Sequence, residues 1–79
     1  MKLPQKGEWY EQSKTVFLEV IEVREIKGIT YYAYKRHLID DGEYIIDVET
    51  ELSSYRQVVD EDEIAKLMLL TNSSVEIHV

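Results

Sequence analysis

The chain has no cysteine, one proline and three glycines in 79 residues. Without cysteine there is no disulfide, no thiolate nucleophile and no zinc-finger spacing, and the setting this suggests is a reducing cytoplasm. With so few chain-breaking residues the sequence is too regular for a disordered tail, and 44% apolar content is enough to fold despite 32% charged residues. No apolar run approaches the ~20 residues of a membrane span. Met1 to Gly7 also lacks the apolar core of a secretion signal. There is no glycine-rich phosphate loop and no serine in a nucleophile elbow. His37 and His78 stand far apart, with no further histidine or cysteine at ligand spacing. Carboxylates are abundant, but acid/base catalysis needs two of them in contrasting environments within a cleft. Neither Asp40-Asp41-Gly42 nor Asp60 to Glu63 sits in a twelve-residue calcium loop. The expectation is therefore a protein that is not an enzyme, with no catalytic residues, no metal and no cofactor.

What is present is charge of one sign, unevenly placed. The net charge is −7. Seven Lys/Arg and five Glu fall in residues 1–39, against two Lys/Arg and eleven Asp/Glu in residues 40–79. An acidic second half creates a directional field that attracts a basic partner and disfavours nucleic acid at that surface. The length allows one domain, residues 1–79, hiding about 60% of its extended surface.

Hydrophobic periodicity gives the elements. Thr15 to Ile26 is rich in β-branched residues, but its apolar side changes near Val20-Ile21, which predicts a β-bulge, a strong bend, or burial on both faces of a small curled sheet. Lys27-Gly28 is a hairpin turn, Ile29 to Ile39 is the return strand, and Asp40-Asp41-Gly42 is a second turn with a left-handed glycine. The next strand alternates: Tyr44, Ile46, Val48 and Leu52 on one face, Glu43, Asp47, Glu49 and Glu51 on the other, interrupted by Ile45. The expected arrangement puts the first set on the core and the second in solvent. Glu8-Trp9-Tyr10 reads as a short aromatic strand or turn, Tyr55 to Val59 as a short strand, and Asp60 as the cap of a helix running to about Leu70. Val75, Ile77 and Val79 alternate like a closing edge strand. The implied class is α+β: a small curved antiparallel sheet of about five strands, an SH3-like half-barrel, with one short helix near the C-terminus.

Candidate contacts follow from these faces. The ladder Glu43, Asp47, Glu49 and Glu51 is a regular array of negative charge, suited to docking a protein with a basic surface. Tyr31 and Tyr34 lie on the aromatic arm, and Leu69 points away from the helix stripe Ile64-Leu67-Met68, so all three are candidate apolar anchors. The run Tyr31 to His37 also interleaves aromatic and basic groups as in a single-stranded nucleic-acid platform. The neighbouring carboxylates oppose that use, and no nucleic-acid partner is expected. In size, acidity, lack of cysteine and lack of a catalytic constellation the chain resembles the small host-takeover inhibitors of bacteriophages. Those proteins bind and disable a host protein of transcription, the nucleoid, nuclease complexes or cell division. The resemblance covers overall character and no motif, and implies an inhibitor acting by binding in the host cytoplasm. The alternative is an assembly subunit, a small homo-oligomer rather than a monomer, joined through its edge strands.

Overall fold

The computed structural model of the protein describes residues 3–71, so the expected strand at Val75, Ile77 and Val79 lies outside the described residues. Five strands form one antiparallel sheet: β1 (Trp9–Ser13), β2 (Val16–Ile26), β3 (Ile29–Leu38), β4 (Glu43–Glu49) and β5 (Arg56–Val58). The helix α1 (Glu61–Thr71) follows. The strand order is β4-β3-β2-β1-β5, so each strand neighbours the one before it except β5, which lies beside β1. The sheet is open: β4 and β5 are its two edges and do not meet.

The turns have the chemistry the sequence expects. Lys27 and Gly28 both have positive φ, 53° and 82°, joining Ile26 directly to Ile29 in a two-residue turn whose twist suits the flanking strands. Between β3 and β4, Gly42 takes φ 67° and its N–H donates to the carbonyls of Leu38 (3.0 Å) and Ile39 (3.3 Å). The predicted change of face in β2 is a bulge. Pairing steps from Val20↔Tyr34 to Glu22↔Ala33, with Ile21 as the extra residue, so that Leu18, Val20 and Val23 keep one face despite the frame shift.

Because antiparallel partners share a face, the register divides the sheet into two sides with separate cores. On the first, Tyr10, Leu18, Val20, Tyr32 and Tyr34 are buried under Leu52, with Tyr55 beside them. Leu52 and Tyr55 belong to the segment 50–55, which carries the chain from the β4 edge across to β5; we call this side the loop face. On the second, Trp9, Phe17 and Val58 meet Leu67, with Ile39, Ile64 and Met68 at the margin; this is the helix face. Burial of Leu18, Val20 and Leu52 contributes roughly 1.5–3 kcal/mol each.

The helix begins where its sequence signals it. Asp60 Oδ1 accepts from the N–H groups of Asp62 (2.8 Å) and Glu63 (3.3 Å), and three carboxylates occupy the first turn. Arg56 ties it to the sheet by reaching both Glu63 and Glu11.

Two stability changes follow. Asp60→Ala removes the acceptor for two orphan amides and should lower stability by about 0.5–2 kcal/mol. Lys27→Asn places at a left-handed position a residue that tolerates it, and should raise stability by about 0.5–1 kcal/mol. Thermal unfolding checks both, and each change predicts a shift in midpoint of the opposite sign.

Candidate binding site on the outer strand

The outer strand β4 is where structure and sequence expectation part. Register places Tyr44, Ile46 and Val48 opposite His37, Lys35 and Ala33 on the helix face, and Ile45, Asp47 and Glu49 opposite Arg36, Tyr34 and Tyr32 on the loop face. The alternation is as expected, but the exposure is not. Tyr44, Ile46 and Val48 are 52%, 52% and 51% exposed. Asp47 and Glu49 are half-buried instead.

The cause is coverage. The helix lies over the Trp9, Phe17 and Val58 end of its face, and Tyr44, Ile46 and Val48 are not buried in that cluster. The carboxylates turn toward the buried tyrosines. Arg36 Nη2 donates to Asp47 Oδ2 at 2.9 Å and to the Tyr34 hydroxyl at 3.2 Å, and that hydroxyl donates to Glu49 Oε2 at 3.4 Å. Burial pushes the Tyr34 phenol up, opposed by the Arg36 guanidinium. Glu43 and Glu51 remain exposed, but Glu51 lies beyond the strand, in the crossing segment, where it accepts from Ser53. The four carboxylates are thus not one outward ladder. Leu52 likewise sits on the face opposite to Tyr44, Ile46 and Val48.

The apolar candidates separate in the same way. Tyr34 is fully buried, so it supports the strand and offers no contact. Tyr31 is half-buried on the helix face, where it borders a shallow hollow of about 320 Å³ with Ile26, Ala33, Val48, Glu22 and Arg24. Leu69 is 75% exposed on the helix, as its angular position predicts. The residues that sequence reasoning missed are Tyr44, Ile46 and Val48, with Ile26 and Ile29 half-exposed at the tip of the β2–β3 hairpin. A signal for them existed. Lys35, Arg24 and Glu22 share their face, and a face interrupted by three charges is not a dry core.

At the proximal end of this face Trp9 stacks on the buried His37, centroids 5.2 Å apart, and His37 Nε2 lies 3.0 Å from Glu19 Oε1. Tyr44 tilts against His37 from the solvent side, with Lys35 Nζ 4.7 Å from the centre of its ring. The aromatic and basic run of β3 is therefore engaged: Tyr32 and Tyr34 are buried, Arg36 holds Asp47, and Lys35 covers Tyr44. That is not the row of open rings that stacking bases needs.

On the loop face, a groove of about 340 Å³ runs past Tyr10, Tyr32, Leu52 and Tyr55 to Leu3 and Pro4. Burial, aided by a 3.0 Å hydrogen bond donated to Glu8, pushes the Tyr10 phenol up to about 12. Among the described residues no three His, Cys, Asp or Glu side chains come together as metal ligands. No helix among them is long and apolar enough to cross a membrane.

The inward turn of the carboxylates has a measurable consequence. Asp47→Asn weakens the hold on Arg36, whose side chain is 25% exposed, and should cost about 0.5–1 kcal/mol after allowance for solvent screening. Glu43→Gln, at an exposed position of the same strand, should leave the denaturation midpoint unchanged; equal effects would contradict the register. No protein-family model, curated protein or solved structure matches the chain, so the candidate site stands on its own geometry.

Proposed function

We propose that the protein is a non-enzymatic protein-binding module, an inhibitor or modulator that meets its partner through the outer strand β4. One observation carries this reading: Ile26, Ile29, Tyr44, Ile46 and Val48 lie half-exposed on one side of the sheet. Tyr44, Ile46 and Val48 stand side by side on β4, with Ile26 across the hollow that Tyr31 and Ala33 border, which is more than the scattered single apolar residues normal on a surface. The partner surface is basic. Glu43, Asp47 and Glu49 flank the patch on the strand's other face, and the acidic second half of the chain extends their field.

A second reading, an assembly subunit joining copies of itself, draws on the same exposed patch. It is disfavoured at the β4 edge. A two-fold pairing of β4 centred on Ile46 sets Glu43 against Glu49 of the other copy, twice, and one centred on Ile45 sets Glu43 against Asp47. Like charges directly opposite each other destabilise such a ladder.

A pull-down from the source cell's lysate supplies the partner, and its binding kinetics test the reading. Ile46→Asp should raise the off-rate about thirtyfold, the cost of a buried anchor. Glu43→Lys should slow association about tenfold at low salt, the gap narrowing as salt screens the field. Gln12→Lys adds one positive charge, half the change of Glu43→Lys, three strands away and should change neither rate by more than twofold. If Ile46→Asp and Glu43→Lys bind as the parent chain does, β4 is not the contact surface.

A further inference from the structure

The position of β4 says how a partner engages it. It is an edge strand, hydrogen-bonded to β3 on one side only among the described residues. Its seven residues, EYIIDVE, contain no proline, glycine or lysine, and no irregularity interrupts its pairing with β3. Such an edge presents backbone N–H and C=O groups, the arrangement that accepts a further strand, with the Val48 N–H already donating to the Asp47 Oδ1 of its own strand at 2.9 Å.

Any strand added there must match two different faces. Its residues would lie about 4.5–5.5 Å from those of β4, alternating between the two sides. On one side they meet Tyr44, Ile46 and Val48, all half-exposed, and on the other Glu43, Ile45, Asp47 and Glu49. The complement is a segment with apolar residues on one side and basic residues on the other. A second copy of the chain fails this match, because the two-fold registers that overlap most of the strand, centred on Ile45, Ile46 or Asp47, each oppose a carboxylate to a carboxylate.

We propose that β4 takes up an extended segment of the partner as a sixth strand, and that this segment alternates basic and apolar side chains. The inference rests on the binding reading above and adds the mode and the sequence pattern. In antiparallel register, Lys or Arg stands opposite Glu49, Asp47 and Glu43, and Val or Ile stands opposite Val48, Ile46 and Tyr44. Backbone hydrogen bonds supply affinity, and the two rows of side chains supply register, since a slip by one residue sets apolar groups on carboxylates.

The probe is a synthetic peptide, Lys-Val-Arg-Ile-Thr-Val-Lys with blocked ends, titrated into the full chain labelled with ¹⁵N. Alternate amides of β4, those pointing away from β3, should become protected from hydrogen exchange by at least tenfold. Cross-strand contacts from the peptide to β4 should appear in nuclear Overhauser spectra. A peptide of the same composition with its alternation scrambled should bind at least tenfold more weakly, and so should the parent peptide to Glu43→Lys. That variant changes an exposed side chain, so folding is retained, and Ile46→Asp provides a second check from the other face.

Equal affinity for the scrambled peptide would overturn the proposal, since charge alone would then suffice. So would outward β4 amides already protected in the free chain: at every dilution, the chain itself covers its edge; only at high concentration, a second copy does. If the peptide fails to bind while Ile46→Asp still abolishes capture of the cellular partner, strand addition is wrong and the binding surface stands.

Discussion

One helix and one crossing segment are all that this chain has, among its described residues, to cover two faces of a five-stranded sheet. The helix α1 has 11 residues and is about 16 Å long, whereas β2, also of 11 residues, runs to about 36 Å. Coverage must fall short, and it falls short at the β4 edge and at the tip of the β2–β3 hairpin. Both cores lie elsewhere. The loop-face core is built on β1, β2 and β3, and the helix-face core on β1, β2 and β5. Strand β4 places no residue in either cluster, and it is held by backbone pairing to β3 and by the contacts of Tyr44, Asp47 and Glu49 with His37, Arg36 and Tyr34.

What could be read in the sequence was what local chemistry decides. Gly28 and Gly42 marked their turns through the positive φ they adopt, and Asp60 marked the helix through the amides it caps. The change of apolar side at Val20-Ile21 indicated a bulge, a bend or burial on both faces, and the extra residue Ile21 makes it a bulge. Leu67, flanked by Ile64 and Met68, faced the sheet and left Leu69 in solvent, as their 100° spacing requires. Alternation in β4 also gave the right partition of residues between faces. It could not say which face would be covered. That depends on where segment 50–55 and α1 come to rest, and both are fixed by contacts distant in sequence. Leu52 shows the difficulty: it continues the period of Tyr44, Ile46 and Val48, yet the strand stops at Glu49 and the crossing chain carries Leu52 to the other core. In place of the half-barrel expected from a kinked β2, the described residues show an open antiparallel sheet, with β5 beside β1 and no second neighbour of β4 among them.

The binding reading grows from that shortfall. Half-exposed Ile, Val and Tyr side chains on an edge strand are hazardous in a monomer, since edges recruit other edges. Here the same strand carries Glu43, Asp47 and Glu49, which oppose its pairing with a copy of itself and favour a cationic complement. Arg36 holds Asp47 while also bracing Tyr34, whose hydroxyl donates to Glu49, so two of the three carboxylates are tied to the core and Glu43 is left in solvent. Electrostatics would govern encounter, and the apolar row and the backbone would govern residence.

All of this depends on the apolar row of β4 being open to water. Methyl-resolved NMR with a soluble paramagnetic agent measures that directly, by comparing Ile46 and Val48 with Leu18 and Val20 in the free, dilute chain. The structure predicts strong signal attenuation at Ile46 and Val48 and little at Leu18 and Val20, which are 0% and 1% exposed. Ile46 and Val48 methyls as protected as those of Leu18 would contradict it, and would mean that this face of the outer strand is already covered.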